Sequence, residues 1–176
     1  MQLNFVKTNV AERIYSVANI CRMNSEICVC YGNSGLGKTV AINQYAKDNA
    51  GVYVIDPNEG ATAKNILLQL ADKLKITAPT TKVEDLMEET VKKLKGSNFL
   101  IIVDESENLN AAVFRALRKI HDKCDFTFGL LFIGTQRLYV NLKHLKGDFI
   151  YLINRIGYIE ALETLNFNDV QMLVKQ

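Results

Sequence analysis

Apolar residues along this chain fall into two periodic patterns, which predict two kinds of element. Five short segments are predicted to be strands, and the first and third are apolar enough to be buried within a parallel sheet. These segments are residues 27–31, 51–56, 99–103, 126–133 and 158–162. Because strands alternate with helix-forming segments, we predict an α/β fold, a three-layer αβα sandwich around a mainly parallel five-stranded sheet.

Between the strands, apolar residues recur at every third or fourth position and predict amphipathic helices. The predicted helices cover residues 9–22, 38–49, 62–74, 81–95, 110–123 and 137–156. Asn9 is expected to cap the first helix, Thr81 and Glu84 to form a capping box at the start of the fourth, and Gly157 to end the last. From residue 164 onwards the pattern indicates the start of one more helix.

A glycine-rich segment lies between the first strand and the helix that follows it. Gly32, Gly37, Lys38 and Thr39 match the pattern G-x-x-x-x-G-K-S/T, which is typical of the phosphate-binding loop of a P-loop NTPase. Glycines let consecutive N–H groups turn around an anion, and the helix start adds the positive end of its dipole. Lys38 is expected to contact the β- and γ-phosphates, and the Thr39 hydroxyl to bind Mg²⁺. The candidate nucleotide-binding residues are Gly32, Asn33, Ser34, Gly35, Leu36, Gly37, Lys38, Thr39 and Val40.

The third strand ends in two consecutive carboxylates, Asp104 and Glu105, an arrangement typical of a Walker B motif. Asp104 is expected to join Thr39 in the Mg²⁺ shell, since hard divalent cations prefer oxygen ligands. Glu105 then binds no metal and can orient and deprotonate an attacking water, so we predict hydrolysis as well as binding. The sequence contains no Asn-Lys-x-Asp segment of the kind that recognises guanine, and ATP is the predicted nucleotide.

Two further residues are candidates for catalysis. Thr135 follows the fourth strand, where its hydroxyl can hold water or sense the γ-phosphate; the alternative is a hydroxyl that only caps the turn. Arg155 can bind the terminal carbonyls of its own predicted helix, or act as an arginine finger on the nucleotide of a neighbouring subunit. Arg137 is the rival candidate for that finger. The sequence leaves these alternatives open.

Composition restricts the partners without selecting one. The formal net charge is +2, so any surface that binds nucleic acid must be a local one. Lys64, Thr62 and Lys82 are the candidate DNA contacts, with an ordinary solvated surface as the alternative. The four cysteines are interpreted as buried apolar residues rather than a metal or redox site. No apolar run could cross a bilayer and no signal-peptide pattern follows Met1, so we expect a cytoplasmic protein without a membrane partner.

The order of these motifs along the chain resembles that of the AAA+ ATPases. Within them, residues 99–109 with 114–122, and residues 129–139, are similar to the transposition regulators typified by the phage Mu B protein. The resemblance covers about residues 25–162. It implies an ATPase that self-associates into filaments on double-stranded DNA with little sequence preference and recruits or activates a transposase. Hydrolysis would cause release, and the compartment would be the cytoplasm of a bacterium or of a phage-infected host.

The same resemblance sets expectations for the domains. Residues 1–163 would form an AAA+ core and residues 164–176 the start of a C-terminal helical lid that is largely absent, so no sensing arginine of the lid is assigned. His121 is expected to pack on the sheet rather than to act in catalysis. The main alternative function is a helicase-loader or origin-recognition-type ATPase that acts on a protein partner. A signalling NTPase unrelated to nucleic acid is a further alternative.

Overall fold

The computed structural model describes residues 5–77, 81–144 and 153–174. Within these ranges the helices are α1 (Asn9–Asn24), α2 (Lys38–Asp48), α3 (Ala63–Lys73), α4 (Val83–Leu94), α5 (Ala111–Lys123), α6 (Gln136–His144) and α7 (Phe167–Val174). The strands are β1 (Ile27–Tyr31), β2 (Val52–Ile55), β3 (Leu100–Val103), β4 (Gly129–Gly134) and β5 (Ile156–Ala161), and a 3₁₀ turn covers Ser106–Asn108. Among the described helices, none combines the length and the hydropathy that a membrane crossing requires.

The five strands form one parallel sheet in the order β2-β3-β4-β1-β5. All strands therefore end at the same side, which we call the carboxyl edge, and begin at the opposite side, the amino edge. Residues 32–37, Asp104 and Thr135 follow β1, β3 and β4 at the carboxyl edge. In open parallel sheets this edge is where ligands bind.

Helices cover both faces of the sheet, and alternate residues of β1 to β4 point into the two cores, whereas β5 at the edge of the sheet is largely exposed. Cys28 and Cys30 of β1 pack with α1 and α2, whereas Ile27 and Val29 pack with α3, α4 and α5 on the other face. The predicted three-layer αβα sandwich is therefore confirmed. All four cysteines are free and buried, as expected of small apolar residues.

Two predicted helix caps are wrong. Thr8 caps α1, because its Oγ1 accepts the N–H of Ala11 at 3.2 Å, and Asn9 is already the first helical residue. The N-cap of α4 is Lys82, which makes no capping hydrogen bond with its side chain, so the capping box expected from Thr81 and Glu84 does not form.

The expected helix end at Gly157 is also wrong. Gly157 lies inside β5, where the register against β1 shifts between Ile27 and Cys28, and the Glu26 side chain occupies the space that a Cβ of Gly157 would fill. Its lack of a side chain therefore serves a close approach in the sheet rather than a helix end. Of the helix predicted over residues 137–156, residues up to His144 are helical, and residues 145–152 lie outside the described part of the chain.

Candidate nucleotide site

The loop between β1 and α2 is shaped by its glycines. Gly35 and Gly37 have φ angles of 81° and 78°, a backbone conformation that side chains with a Cβ rarely adopt. Gly32 is needed for a different reason, because a Cβ there would lie 2.7 Å from the Cβ of Leu162. These glycines therefore allow the tight turn before α2 that phosphate binding by consecutive N–H groups requires.

Lys38, the first residue of α2, is held beneath this loop. Its side chain is buried, and Nζ donates hydrogen bonds to the carbonyl oxygens of Gly32 at 3.1 Å and Asn33 at 2.7 Å. Burial lowers the pKa of Lys38, while the carboxylates of Glu107 and Asp104 act in the opposite direction. The ammonium is thus fixed by the same loop that would surround a phosphate chain.

Thr39 and Asp104 form the second part of the site. The Thr39 hydroxyl donates to Asp104 Oδ2 at 2.7 Å, and Asp104 Oδ1 accepts the N–H of Glu105 at 2.9 Å. Asp104 is 3% exposed, and burial raises its pKa. In the described residues no three His, Cys, Asp or Glu side chains gather to hold a metal by themselves. A hydroxyl and a carboxylate fit Mg²⁺, which commonly takes its remaining ligands from water and nucleotide phosphates.

Glu105 lies at the rim of the site. Its φ angle is 43°, a strained value for a residue other than glycine, and its Oε2 accepts a hydrogen bond from Asn108 Nδ2 at 3.2 Å. Desolvation raises the pKa of Glu105, and the carboxylates of Asp56 and Asp104 raise it further. The side chain is exposed and binds no described cation, so it can face a water at the open side of the cavity.

Glu107 is a member of this group that the sequence analysis missed. It lies in the 3₁₀ turn after Glu105, and its Oε2 accepts the N–H of Thr135 at 3.1 Å. The Thr135 hydroxyl itself is buried and makes no hydrogen bond to any described residue. A Cβ on Gly134 would overlap the Glu107 carboxylate, so this glycine allows the approach. In the sequence, the only indication that Glu107 belongs to the site is its position shortly after Asp104 and Glu105.

Most of the predicted residues of the carboxyl edge line one cavity of about 330 Å³, whereas Gly32, Asn33 and Leu36 do not line it. Its lining includes Ser34, Gly35, Gly37, Lys38, Thr39, Val40, Asp104, Glu105, Glu107 and Thr135. A second cavity of about 430 Å³ lies beside the loop and is mostly apolar, a feature that the sequence analysis also missed. Phe5, Val6, Leu36, Leu165 and Leu173 contribute to its walls.

Arg155 does not share this cavity. It lies at the amino edge, directly before β5, with Nε 3.7 Å from Asp122 Oδ1 and its guanidinium 4.9 Å from the centre of the Phe126 ring. The rival candidate, Arg137, is exposed in the first turn of α6. Five residues of β1 at about 3.3 Å each separate the two edges by about 16 Å.

The candidate DNA contacts lie outside the cavity as well. The Thr62 hydroxyl takes part in a capping box with Asn65 at the start of α3, where Lys64 is exposed in the first turn. Lys82 is exposed at the start of α4. Capping explains Thr62 without DNA, and the two lysines stay predictions.

Comparison with known proteins shows the family to which the chain belongs. A family model described as an AAA domain matches residues 21–142. The chain belongs to the AAA family. The matched range includes the loop that follows β1, the Asp104–Glu105 pair and Thr135.

Curated relatives narrow the resemblance within the AAA family. The chain is 27% identical to the ATP-dependent target DNA activator B of Escherichia phage Mu over 172 residues, covering 96% of this chain and 54% of that protein. It is 27% identical over 140 residues to the Mu-like prophage FluMu DNA transposition protein B of Haemophilus influenzae, covering 79% and 48% of the two chains. The predicted resemblance to Mu B-type regulators is confirmed. This AAA chain spans about half the length of the curated relatives it matches.

A solved structure supports the fold of this AAA domain. The Aeropyrum pernix ORC1 protein in complex with DNA superposes with a TM-score of 0.71 and 14% identity, over 99% of this chain and 50% of that chain. At this identity the similarity concerns the fold alone.

Proposed function

We propose that the chain binds ATP with Mg²⁺ at the carboxyl edge and hydrolyses it. The observation that supports this most is that one cavity joins Lys38, the Thr39–Asp104 hydrogen bond and the Thr135 hydroxyl, which has no partner among the described residues. Lys38 would bind the β- and γ-phosphates, and Thr39 and Asp104 would hold Mg²⁺, which supplies charge neutralisation for phosphoryl transfer. Glu105 would orient the attacking water and accept its proton, with Thr135 as a second contact of that water or of the γ-phosphate.

The apolar cavity beside the loop is the proposed place of the nucleotide base. It adjoins Gly35 and Gly37, and its walls come from the start of the described chain and from α7. Asp169 attaches α7 to α1, because its Oδ1 accepts the N–H of Asn9 at 2.8 Å. Binding of a base would therefore be sensitive to the position of α7, the helix predicted to begin a lid.

Arg155 is proposed to complete the site of a neighbouring copy. It lies about 16 Å from the carboxyl edge of its own sheet, too far to contact its own nucleotide. Its side chain is half exposed and carries a planar cation suited to the charge of a transferring phosphoryl group. Turnover would then depend on assembly.

We further propose that the ATP-bound form assembles on double-stranded DNA, that it activates or recruits a transposase, and that hydrolysis releases it. The relatives support this because their names describe an ATP-dependent target DNA activator and a DNA transposition protein. Their similarity favours this role over the origin-recognition alternative, for which the likeness concerns the fold alone.

The test is retention of labelled duplex DNA on filters with ATP, with ADP and without nucleotide, at several salt concentrations. We expect the strongest retention with ATP, and a decrease with salt because phosphate contacts release counterions. Lys38→Ala should bind DNA equally under all three conditions. Equal retention of the unsubstituted protein in the three states would contradict the proposed switch. A pull-down that recovers a replicative helicase and no transposase would favour the alternative.

A further inference from the structure

A compact group of charged and aromatic side chains surrounds Arg155 at the amino edge. We call Arg118, Asp122 and Phe126 the arginine seat. Asp122 lies between two cations, with Oδ1 3.7 Å from Arg155 Nε and Oδ2 3.4 Å from Arg118 Nε. The Arg155 guanidinium also lies over the Phe126 ring, a geometry that favours cation–π attraction.

The two arginines differ in how freely they can leave Asp122. The Arg118 side chain is 29% exposed, whereas that of Arg155 is 50% exposed. The Asp122 Oδ1 atom is buried and accepts no hydrogen bond from a described residue. Asp122 therefore holds Arg155 by charge at a distance slightly longer than a hydrogen bond, which fixes its direction and still allows it to reach outward.

The turn that presents Phe126 is strained. Asp125 and Phe126 both have φ angles of 54°, and Phe126 is 44% exposed although it is a large apolar residue. Backbone strain of this kind persists only where surrounding contacts maintain it, and it concentrates at functional sites. The Phe126 ring contacts Arg155 and also lies near His121, whose ring centre is 5.4 Å away.

His121 anchors this turn to the sheet. Its Nε2 lies 3.0 Å from the carbonyl oxygens of both Ser25 and Phe128, which precede β1 and β4. Because both partners are acceptors, Nε2 carries the hydrogen and donates to both. The end of α5 is thus tied to the entrances of two central strands, and the adjacent Asp122 is fixed in position.

We propose that Asp122 and the Phe126 ring are positioning residues that direct Arg155 towards the nucleotide of a second copy of this chain. The proposal rests on the proposed function of Arg155, and it identifies the arginine seat as the surface that presents this residue. It also assigns roles within the Ile120-His121-Asp122 segment. His121 anchors the turn to the sheet, and the Asp122 carboxylate directs Arg155.

Charge supports a second copy as the partner of this surface. The carboxyl edge exposes Asp56 and Glu105 near Asp104, and a bound triphosphate adds further negative charge. The amino edge presents Arg118 and Arg155. An interface between one copy's amino edge and another's carboxyl edge joins different surfaces, and it therefore builds a ring or an open filament.

The experiment measures steady-state ATPase activity of the full chain across protein concentrations, with duplex DNA present, together with binding of a fluorescent ATP analogue and the melting temperature. Asp122→Asn and Phe126→Gly should each lower kcat at assembling concentrations by about tenfold, because a displaced finger loses most of its effect. Analogue affinity should stay within about twofold of the unsubstituted protein, since the substitutions lie at the other edge. Asp122→Glu should restore part of the activity.

Glu88→Gln is the matched control. It also changes a carboxylate to an amide, but Glu88 is exposed on α4, where it pairs with Lys92 at 2.9 Å outside the arginine seat, so kcat should be unchanged. The double variant Asp122→Asn/Arg155→Ala should be no slower than Arg155→Ala alone, because both substitutions remove the same interaction, the one between Asp122 and Arg155.

Three results would overturn the proposal, and they are distinguishable. If Arg155→Ala lowers turnover while Asp122→Asn and Phe126→Gly do not, the seat has no positioning role and the proposed function is intact. If Arg155→Ala itself leaves assembled-state turnover unchanged, the trans role of Arg155 fails, and the seat's role fails with it. An Asp122→Asn loss that adds fully to that of Arg155→Ala would also contradict the proposal.

Discussion

At the carboxyl edge of the sheet, glycines, one lysine and several carboxylates surround an open cavity, whereas at the amino edge arginines, a buried histidine and an exposed aromatic ring form a packed group. At the carboxyl edge, the side chains of the site lie in short segments, each of which directly follows one strand. The amino edge assembles from residues far apart in the chain, such as Ser25 and His121. Under the proposed function, the carboxyl edge binds the nucleotide and the amino edge of a neighbouring copy delivers a cation to it.

The largest expected effect comes from Glu105→Gln, which separates binding from chemistry at the carboxyl edge. The amide keeps the size of the side chain and cannot accept a proton, so kcat should fall by about 10²–10⁴-fold. The affinity for ATP should be retained. Single-turnover assays with a fluorescent-analogue titration would measure both. Glu88→Gln, which changes an exposed glutamate paired with Lys92 on α4, is the control. Normal turnover in Glu105→Gln would disprove the water-activating role.

Lys38→Ala tests the binding function of the same edge. We expect the affinity for ATP to fall by about 100-fold, because hydrogen bonds to charged groups are worth about 1.5–3 kcal/mol each. The control is Lys47→Ala, an exposed lysine in the last turn of the same helix. Isothermal titration with ATP and Mg²⁺ would measure both variants. If Lys38→Ala binds ATP as tightly as the unsubstituted protein does, the phosphates do not bind beneath the loop.

The two edges also differ in what could be predicted from sequence. Gly32–Thr39 and the Asp104–Glu105 pair were found because each motif is contiguous and its residues act together. Glu107 was missed because its partner, Thr135, lies 28 positions away. Such a contact exists only after β3 and β4 pair.

Predictions near the amino edge and at the chain ends failed for related physical reasons. Asn9 is chemically able to cap α1, but its N–H is bound by Asp169, a contact across 160 positions. β4 begins at Gly129 rather than at residue 126, because Phe126 takes a left-handed conformation that ends any extended segment. Sequence periodicity reports burial, and burial alone does not determine backbone angles.

Thr135→Val should have a smaller effect that still separates catalysis from stability. The Thr135 hydroxyl is buried and unpartnered among the described residues, so removing it should not lower the melting temperature. If the hydroxyl contacts water or the γ-phosphate, kcat should fall by about tenfold, which corresponds to one hydrogen bond.

Thr90→Val provides the matched comparison. The buried Thr90 hydroxyl donates to the Leu86 carbonyl oxygen at 2.7 Å within α4. Its loss should cost about 1 kcal/mol of stability with kcat unchanged. If Thr135→Val instead destabilises the fold and leaves kcat unchanged, Thr135 only caps the turn.

The smallest expected effect is the pH dependence that His121 contributes at the amino edge. Burial lowers the pKa of His121 below its ordinary value, so the unfolded chain takes up the proton more readily than the folded one. The contribution of His121 to the free energy of unfolding is therefore complete above about pH 6.5. It decreases as the pH falls below that value, by at most about 1.4 kcal/mol per pH unit.

Urea unfolding of the unsubstituted protein and of His121→Gln between pH 5 and 8 would measure this contribution. Glutamine can donate to the same carbonyl oxygens and does not titrate in this range. The stability difference between the two proteins should therefore change with pH in the stated direction, while ATP affinity at pH 7.5 should be equal. A difference that is constant with pH would contradict the buried neutral imidazole.

The most direct test of the central claim, that one edge holds ATP and the other edge of a neighbour completes it, is a mixing experiment. Glu105→Gln lacks the water-activating group and keeps Arg155; Arg155→Ala lacks the cation and keeps an intact cavity. Each protein alone should be nearly inactive. Mixed at assembling concentrations with duplex DNA, they should hydrolyse ATP faster than the sum of the two separate rates, because Arg155 of one copy acts on the site of the other. A mixture that shows only the summed rates would contradict the account.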